Sequence, residues 1–237
     1  MAGVILSLND VNGWYGESHV LHGVNLEVAR GEVVSLIGRN GAGRTTILRA
    51  IMGLLERRNG RIEIKGRDMS AVAAHKLAMA GLGYCPEERG IFSTLSCEEN
   101  LLLPPVTRRD SGMRVSLSEI YEMFPNLAER AKSPGTRLSG GEQQMLAIAR
   151  ILRTGADILL LDEISEGLAP VIVQTLARVI RELKSRGFTI VMVEQNFRFA
   201  APLADRFLVI EHGRVVDVVQ QSELAHRMDE IHRFLGV

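Results

Sequence analysis

One glycine-rich stretch decides the fold of this chain: Gly38-Arg39-Asn40-Gly41-Ala42-Gly43-Arg44-Thr45-Thr46. It directly follows an apolar run, Glu32–Ile37, that is typical of a buried strand, and it precedes a helical stretch that we expect to reach Leu54. Glycines let the backbone curl so that successive N–H groups point inward, and the helix N-terminus adds the positive end of its dipole. This context indicates a phosphate-binding P-loop rather than a plain glycine-rich turn, with the Thr45 hydroxyl directed at Mg²⁺.

Position 44 departs from the P-loop pattern G-x-x-x-x-G-K-[ST], because arginine stands where the pattern has lysine. Lysine is a compact point charge that fits between the β- and γ-phosphates, whereas a guanidinium is larger, planar and forked. The exchange is therefore not conservative. We expect Arg44 to bear directly on nucleotide affinity and turnover.

Two carboxylates, Asp162 and Glu163, follow the apolar run Ile158–Leu161. In a phosphate site the first would hold Mg²⁺, directly or through water, and the second would orient the attacking water. An apolar strand ending in Asp-Glu can also simply meet solvent. The P-loop earlier in the chain is what favours the chemical interpretation.

Apolar periodicity predicts an α/β fold in which strands and helices alternate. Predicted strands are Ile5–Val11, Val24–Val28, Val33–Ile37, Arg61–Lys65, Leu82–Cys85, Ile158–Leu161, Thr189–Val193, Phe207–Ile210 and Val215–Val219. Helical spacing marks Val171–Lys184, and Ser96 with Glu99 forms a capping-box pattern that opens Cys97–Leu103. Because no strand is predicted between about Cys85 and Leu138, we place an inserted helical subdomain there, at about 86–137.

Composition and charge exclude several classes of protein. The 237 residues are 46% hydrophobic and 24% charged, which suits one globular domain with a smaller subdomain. Lys+Arg and Asp+Glu both total 28, so there is no electrostatic reason to propose a nucleic-acid partner. The start lacks a signal-peptide pattern and no apolar window is long enough to span a membrane, so we expect a cytoplasmic protein that docks peripherally. Cys85 and Cys97 lack metal-ligand spacing and are interpreted as reduced and structural.

A second small-residue motif, called the signature from here on, lies at Leu138-Ser139-Gly140-Gly141-Glu142-Gln143-Gln144, ahead of the amphipathic stretch Met145–Leu152. With this motif the chain resembles the ATP-binding cassette (ABC) family. The resemblance implies a P-loop NTPase core with a parallel sheet, an N-terminal antiparallel β subdomain and an inserted α-helical subdomain, all within a single ABC ATPase domain, 1–237. It also implies ATP and Mg²⁺ as cofactors. Two cassettes would then share their sites, with the Ser-Gly-Gly edge of one facing the γ-phosphate held by the P-loop of the other.

The resemblance extends to smaller elements of the site. Tyr15 matches the aromatic residue that stacks on adenine, Glu87 stands where a lid-loop glutamine is usual, and Gln195 stands where a histidine usually contacts the γ-phosphate. Gln195 can donate a hydrogen bond but carries no charge. The implied catalytic pair is Glu163 with Gln195, and the implied metal ligands are Thr45, Glu87 and Asp162. The implied nucleotide-binding residues are Tyr15, Gly38, Arg39, Asn40, Gly41, Ala42, Gly43, Arg44, Thr45, Thr46, Glu87, Ser139, Gly140, Gly141 and Asp162.

One branch of the family is most similar, the ATPase subunits of branched-chain amino acid importers. The similarity is carried by the Pro-Glu lid loop, Glu194-Gln195-Asn196, Ser165–Pro170 and Phe197–Ala200, whereas Ile164 stands where a proline is common. The resemblance implies a second ABC ATPase subunit, identical or paralogous, two transmembrane permease subunits and, indirectly, a periplasmic solute-binding protein. It places the chain peripherally on the cytoplasmic face of the bacterial inner membrane, with no nucleic acid. Related importers carry amides, urea or aromatic acids, so the substrate rests on resemblance alone.

Two other readings stay open at this point. The first is a cassette ATPase of DNA repair or translation. The stretch between Gly43 and Leu138 lacks the sustained heptads of the repair proteins, and one cassette is present where the translation proteins carry two. The second is a poorly hydrolysing, regulatory partner whose signature completes the neighbour's site while its own P-loop turns over slowly, because Arg44 replaces lysine.

Overall fold

Two β-sheets form the framework of the protein, for which a computed structural model describes residues 3–106 and 113–235. The smaller sheet is antiparallel and has the order β2-β1-β4-β5. Its strands are β1 (Val4–Tyr15), β2 (Ser18–Ala29), β4 (Arg57–Ile64) and β5 (Arg67–Asp68). The larger sheet has the order β10-β9-β3-β8-β7-β6, parallel throughout except for β10, which pairs antiparallel with β9. Its strands are β3 (Val33–Ile37), β6 (Leu82–Cys85), β7 (Ile158–Asp162), β8 (Thr189–Val193), β9 (Arg206–Glu211) and β10 (Arg214–Gln220).

Helices connect and cover these strands. They are α1 (Arg44–Ile51), α2 (Ala74–Met79), α3 (Cys97–Leu102), α4 (Leu117–Met123), α5 (Pro125–Glu129), α6 (Gly140–Arg153), α7 (Pro170–Ser185), α8 (Phe197–Ala200) and α9 (Leu224–Leu235). Three of them begin with a complete capping box, in which a serine hydroxyl and a glutamate three residues later satisfy each other's backbone N–H groups. The serines are Ser96, Ser116 and Ser139. Local sequence thus determines where α3, α4 and α6 begin.

The parallel sheet is covered on both faces, because every residue of β3, β7 and β8 is buried. Val33 and Ile37 point into a core that they share with residues of the long helices, such as Leu146 and Leu176. Val34, one position along, points into the other core, together with side chains from the antiparallel sheet and from α1. The sheet therefore lies between a helical layer and the antiparallel sheet.

Most predicted elements are confirmed, and the differences concern their ends. All nine predicted strands are present, and three of them have the predicted bounds. Helix α1 ends at Ile51 rather than Leu54, because Gly53 adopts φ 66, the left-handed conformation that terminates helices. Strand β5 and helices α2, α5, α8 and α9 were not predicted. Within the described residues, the segment between β6 and β7 holds helices, turns and one isolated bridge but no strand.

The predicted insertion, 86–137, shares a hydrophobic core with the helix that follows it. Leu101 and Ile120 from this segment are buried in the same cluster as Leu146 of α6. Residues 107–112 of the predicted insertion, and residues 1–2 and 236–237 of the predicted domain, lie outside the described residues. We propose that this segment and the sheets form one domain, because the cluster is continuous.

Both cysteines are free thiols in buried positions, as their spacing predicted. Burial raises the pKa of Cys85 to about 12 and that of Cys97 to about 11, so neither thiol is reactive near neutral pH. No helix within residues 3–106 and 113–235 has the length and apolar character needed to cross a membrane.

The turn between β9 and β10 ties the P-loop to both sheets through Gly213. Its N–H donates to the Ala42 carbonyl at 2.8 Å, and its carbonyl accepts from the His22 N–H at 3.0 Å. Gly213 has φ 71, and a Cβ added there would lie 1.8 Å from the Val20 carbonyl oxygen. No side chain other than hydrogen fits at this position.

We expect Gly213→Ala to destabilise the protein by roughly 2–3 kcal/mol more than Gly66→Ala does, because it adds a steric clash to the shared backbone strain. Gly66 is the matched control, since it has the same φ of 71 and an added Cβ would meet nothing within 4 Å. Urea unfolding of both variants measures the difference. Equal losses of stability would contradict the close packing around Gly213.

Candidate functional site

The P-loop is held between the end of β3 and the start of α1 by two glycines. A Cβ on Gly38 would lie 2.2 Å from the Ile210 carbonyl oxygen, so the loop passes too close to β9 for any side chain. Gly43 caps α1 with φ 105 and provides no side-chain acceptor. The N–H groups of the first turn of α1 therefore have no partner within the helix, and they form a donor set suited to an anion.

This helix start opens onto a cavity of about 480 Å³, a volume typical of small-ligand sites. Its walls bring together residues from five separate parts of the sequence. They are Val20, Asn40, Gly41, Ala42, Gly43, Arg44, Thr45, Thr46, Glu87, Glu163, Glu166 and Gln195. Most of the residues predicted to contact phosphate thus share one cavity, and the unpartnered amides at its wall fit a polyphosphate.

Asp162 lies behind Thr45 and is held by two hydroxyl groups. The Thr45 Oγ1 donates to Asp162 Oδ1 at 2.9 Å, and the Tyr84 hydroxyl donates to Asp162 Oδ2 at 3.1 Å. Burial raises the pKa of Asp162, while the two hydrogen bonds act in the opposite direction. The pair of Thr45 and Asp162 offers hydroxyl and carboxylate oxygens side by side, the donor set that Mg²⁺ prefers. Tyr84 was not predicted to take part.

The Arg44 guanidinium is bound by the protein itself. Its Nη2 lies 3.2 Å from Glu163 Oε1 and 3.1 Å from Asn40 Oδ1, and its Nη1 donates to the Glu194 carbonyl at 3.2 Å. The side chains of Arg44 and Glu163 are only 4% and 9% exposed, so this is a buried ion pair. Burial lowers the pKa of Arg44, and Glu163 counteracts that shift. The forked shape of arginine is what lets it reach all three acceptors at once.

Glu163 has a left-handed backbone, with φ 47, a conformation that costs an ordinary residue about 1–3 kcal/mol. Its N–H donates to the Val193 carbonyl at 2.9 Å, and its Oε2 accepts from Gln195 Nε2 at 2.7 Å. Burial raises the pKa of Glu163, and the neighbouring Glu166 raises it further, whereas the Gln195 hydrogen bond and Arg44 lower it. The structure thus brings the two predicted catalytic residues into direct contact.

The cavity carries more negative than positive charge. Carboxylate oxygens of Glu87, Glu163 and Glu166 lie within 4.8 Å of one another, while Arg44 is the sole cation among the lining residues. Such walls repel a bare polyphosphate and accept one that brings a divalent cation. Glu87 lines this cavity, and its carboxylate lies with those of Glu163 and Glu166, whereas the prediction grouped it with Thr45 and Asp162.

The Ser-Gly-Gly edge lies outside this cavity, at the N-terminus of α6. Ser139 Oγ accepts from the Glu142 N–H at 3.3 Å, and the Ser139 N–H donates to Glu142 Oε2 at 2.7 Å. Added Cβ atoms would lie 3.2 Å from the Arg89 guanidinium at Gly140 and 2.8 Å from Ile172 at Gly141. One copy of the chain therefore does not bring its signature to its own P-loop.

Three other predicted residues are also placed away from the phosphate cavity. Gly38 and Arg39 line an adjacent cavity of about 910 Å³. Tyr15, at the end of β1, is 38% exposed, and its hydroxyl accepts from Arg49 Nη1 at 3.4 Å. An exposed aromatic face at this place remains available for stacking.

One buried acid beside the site, Glu194, was not predicted from the sequence. It is 1% exposed, and it accepts from Ser165 Oγ at 2.7 Å and from the Ser165 N–H at 3.2 Å. Burial raises its pKa to about 8, against the opposing effect of hydrogen bonds from Ser165 and from the Ile164 backbone. The sequence gives no sign that Glu194 is buried, because a carboxylate at the end of an apolar strand is usually exposed to solvent.

The chain has a parallel sheet with a P-loop at its carboxyl edge, a Thr45-Asp162 pair with the oxygen donors that Mg²⁺ prefers, and Glu163 in the same cavity as the P-loop. Together these features define a P-loop nucleoside triphosphate-binding protein. The chain belongs to the ABC transporter family, which it matches over residues 21–166. It is therefore an ATPase subunit of an ABC transporter.

Relatives and solved structures support this family and differ in what they transport. The chain is 40% identical over 212 residues to the high-affinity branched-chain amino acid transport ATP-binding protein BraG of Pseudomonas aeruginosa, covering 90% of this chain and 91% of BraG. It is 33% identical to the lipopolysaccharide export system ATP-binding protein LptB of Haemophilus influenzae, covering 90% and 89%. It superposes with a TM-score of 0.81 at 27% identity on a solved ATP binding subunit of an ABC transporter, covering 98% and 100%.

The pKa of Glu194 predicts how stability depends on pH. Because the folded state holds this carboxyl protonated up to about pH 8, against an ordinary value of 4.5, its contribution is fully present below pH 4.5 and is lost as the pH rises through 8. We expect the free energy of unfolding of the natural protein to fall, relative to that of Glu194→Gln, between about pH 5 and pH 9. Urea titrations across this range provide the measurement, and parallel curves for the two proteins would contradict the raised pKa.

Proposed function

We propose that this chain is the ATP-hydrolysing subunit of a bacterial ABC importer that energises uptake of branched-chain amino acids or related small amino acids and amides. The observation that carries the proposal is the single cavity that joins the P-loop amides, Thr45, Glu163 and Gln195. The importer class and substrate are supported by the likeness to BraG and by the loops that resemble that branch. LptB, at lower identity, belongs to an export system.

The residues in and around the cavity have different tasks in this proposal. The amides of the P-loop and of the first turn of α1 bind the β- and γ-phosphates, and Tyr15 stacks on adenine. Thr45 and Asp162 would hold Mg²⁺ with help from Glu87, and that ion would neutralise charge on the phosphates. Glu163 orients the attacking water, while the Gln195 amide keeps its carboxylate directed into the cavity.

The separation of the signature from the P-loop supports a two-chain assembly. Ser139, Gly140 and Gly141 lie outside the cavity of their own chain, so they would close the cavity of a second ABC ATPase subunit. Two transmembrane permease subunits would dock on this pair at the cytoplasmic face of the inner membrane, and a periplasmic solute-binding protein would deliver the substrate. In this proposal the ATPase pair is peripheral to the membrane, and nucleic acid is not a partner.

We expect Glu163→Gln to accumulate a closed, ATP-loaded dimer, because nucleotide and metal binding survive while the water is no longer activated. Size-exclusion chromatography with ATP and Mg²⁺ measures the dimer. Cross-linking from Ser139→Cys to an ATP derivative that is reactive at its γ-phosphate tests which chain closes the site. The proposal is wrong if the Glu163→Gln variant hydrolyses ATP rapidly, or if position 139 is remote from every bound γ-phosphate.

A second candidate, favoured by the buried ion pair of Arg44 and Glu163, is a subunit that binds ATP but turns it over slowly. The Arg44 guanidinium is paired with Glu163, the carboxylate that would orient the water. An incoming γ-phosphate has to compete with Glu163 for this guanidinium. The chain's own signature edge is unaffected by this contact. Such a subunit would complete the site of a faster partner.

We expect Arg44→Lys to raise the ATPase rate of the assembled transporter by about tenfold, because an ammonium group cannot bridge Glu163, Asn40 and the Glu194 carbonyl together. Arg67→Lys on the exposed strand β5 is the matched control and should leave the rate unchanged. ATP affinity is measured separately, so that turnover is not confused with binding. An unchanged rate in Arg44→Lys would discard the slow-turnover candidate.

A further inference from the structure

The turn that follows Glu163 is held by a single buried acid. The Glu194 side chain accepts hydrogen bonds from the Ser165 hydroxyl and from the Ser165 N–H. Both donors belong to Ser165, which lies two residues after Glu163. A strained residue such as Glu163 keeps its conformation only where the surrounding contacts determine it, and these two bonds fix the turn that comes directly after it.

Within residues 3–106 and 113–235 the Glu194 side chain forms no salt bridge, and Arg44 approaches its backbone carbonyl rather than its side chain. Glu194 is 1% exposed and does not line the phosphate cavity, although it lines a neighbouring cavity of about 840 Å³ together with Glu163 and Gln195. We therefore expect this carboxyl group to act on the reaction through the turn that it binds.

We propose that Glu194 is a positioning residue, whose carboxyl group holds the turn at Ser165 and thereby keeps Glu163 aimed into the phosphate cavity. The inference rests on the proposed role of Glu163 in hydrolysis. Glu194 would affect hydrolysis without contacting the nucleotide. Gln195, the residue after Glu194, binds the Glu163 side chain directly, so two consecutive residues after β8 hold the segment that follows β7.

Ile164, which lies between Glu163 and Ser165, is fixed by packing. Its side chain is 1% exposed and is buried in the helical core. The turn is therefore held at Ile164 by packing and at Ser165 by hydrogen bonds.

The contact of Glu194 with Ser165 is tested first without nucleotide, by hydrogen exchange of the full chain. We expect Glu194→Ala to accelerate exchange of the Ser165 amide at least tenfold, while the amides within β7 and β8 stay protected. Glu194→Gln, which retains an acceptor oxygen, should remain close to the natural protein. Unchanged protection of the Ser165 amide in Glu194→Ala, or loss of protection throughout β7 and β8, would overturn the proposal.

A double-mutant cycle then tests whether Glu194 acts through Glu163. In single-turnover hydrolysis by the assembled transporter, we expect Glu194→Ala to lower the rate about 10–100-fold with an unchanged ATP dissociation constant. The same substitution in a Glu163→Gln background should cost less than about twofold, since the carboxylate that it positions is already gone. Fluorescence of Trp14, the single tryptophan and the neighbour of Tyr15, reports ATP binding.

If Glu194→Ala lowered the hydrolysis rate by the same factor in the natural protein and in the Glu163→Gln background, Glu194 would not act by positioning Glu163. Ser165→Ala is the milder variant, because it removes only the hydroxyl donor, and it should lower the rate less than Glu194→Ala does. Failure of the positioning role and failure of the proposed function are distinguishable. Hydrogen exchange reports the contact of Glu194 with Ser165 without nucleotide, whereas the trapped dimer of Glu163→Gln reports the site.

Discussion

Polar groups buried at the carboxyl edge of the parallel sheet need partners there, because neighbouring layers exclude water from both faces of the strands. Three side-chain pairs meet this requirement side by side. Thr45 binds Asp162, Arg44 binds Glu163, and Ser165 binds Glu194. Two of the pairs join the start of α1 to the end of β7, and the third joins the end of β8 to the turn after β7. The contacts that satisfy buried groups therefore also place the P-loop beside Asp162 and Glu163.

The pairing of Arg44 with Glu163 makes this site different from one that carries the usual lysine. A buried ion pair costs desolvation on both sides, and burial dominates the pKa shifts of both partners. Its stability therefore depends on what else the guanidinium binds, here Asn40 and the Glu194 carbonyl. In the proposed site, a phosphate that binds Arg44 would replace these contacts. Arg44 would then link nucleotide binding to the release of Glu163.

The antiparallel sheet and the helical layer contribute through their positions. The turn at Gly213 binds both the P-loop and β2, so the smaller sheet and the phosphate site are mechanically continuous. On the other face, Arg89 lies against Gly140 and donates to Gln143, which joins the lid loop to the start of α6. The two halves of the shared site thus have separate supports within one chain.

Local sequence determined the P-loop, the strand that ends in Asp162 and Glu163, the capped starts of α3 and α6, and membership of a cassette family. These features depend on residues close together along the chain: glycines that permit a curl, apolar alternation, and Ser-x-x-Glu caps. Only the tertiary structure decided that Arg44 binds Glu163, that Tyr84 holds Asp162, and that Glu194 binds Ser165 in the turn after Glu163. Those partners lie tens to more than a hundred residues apart in sequence, and they meet because parallel strands bring their carboxyl ends to one edge, where burial forces each polar group to find a partner.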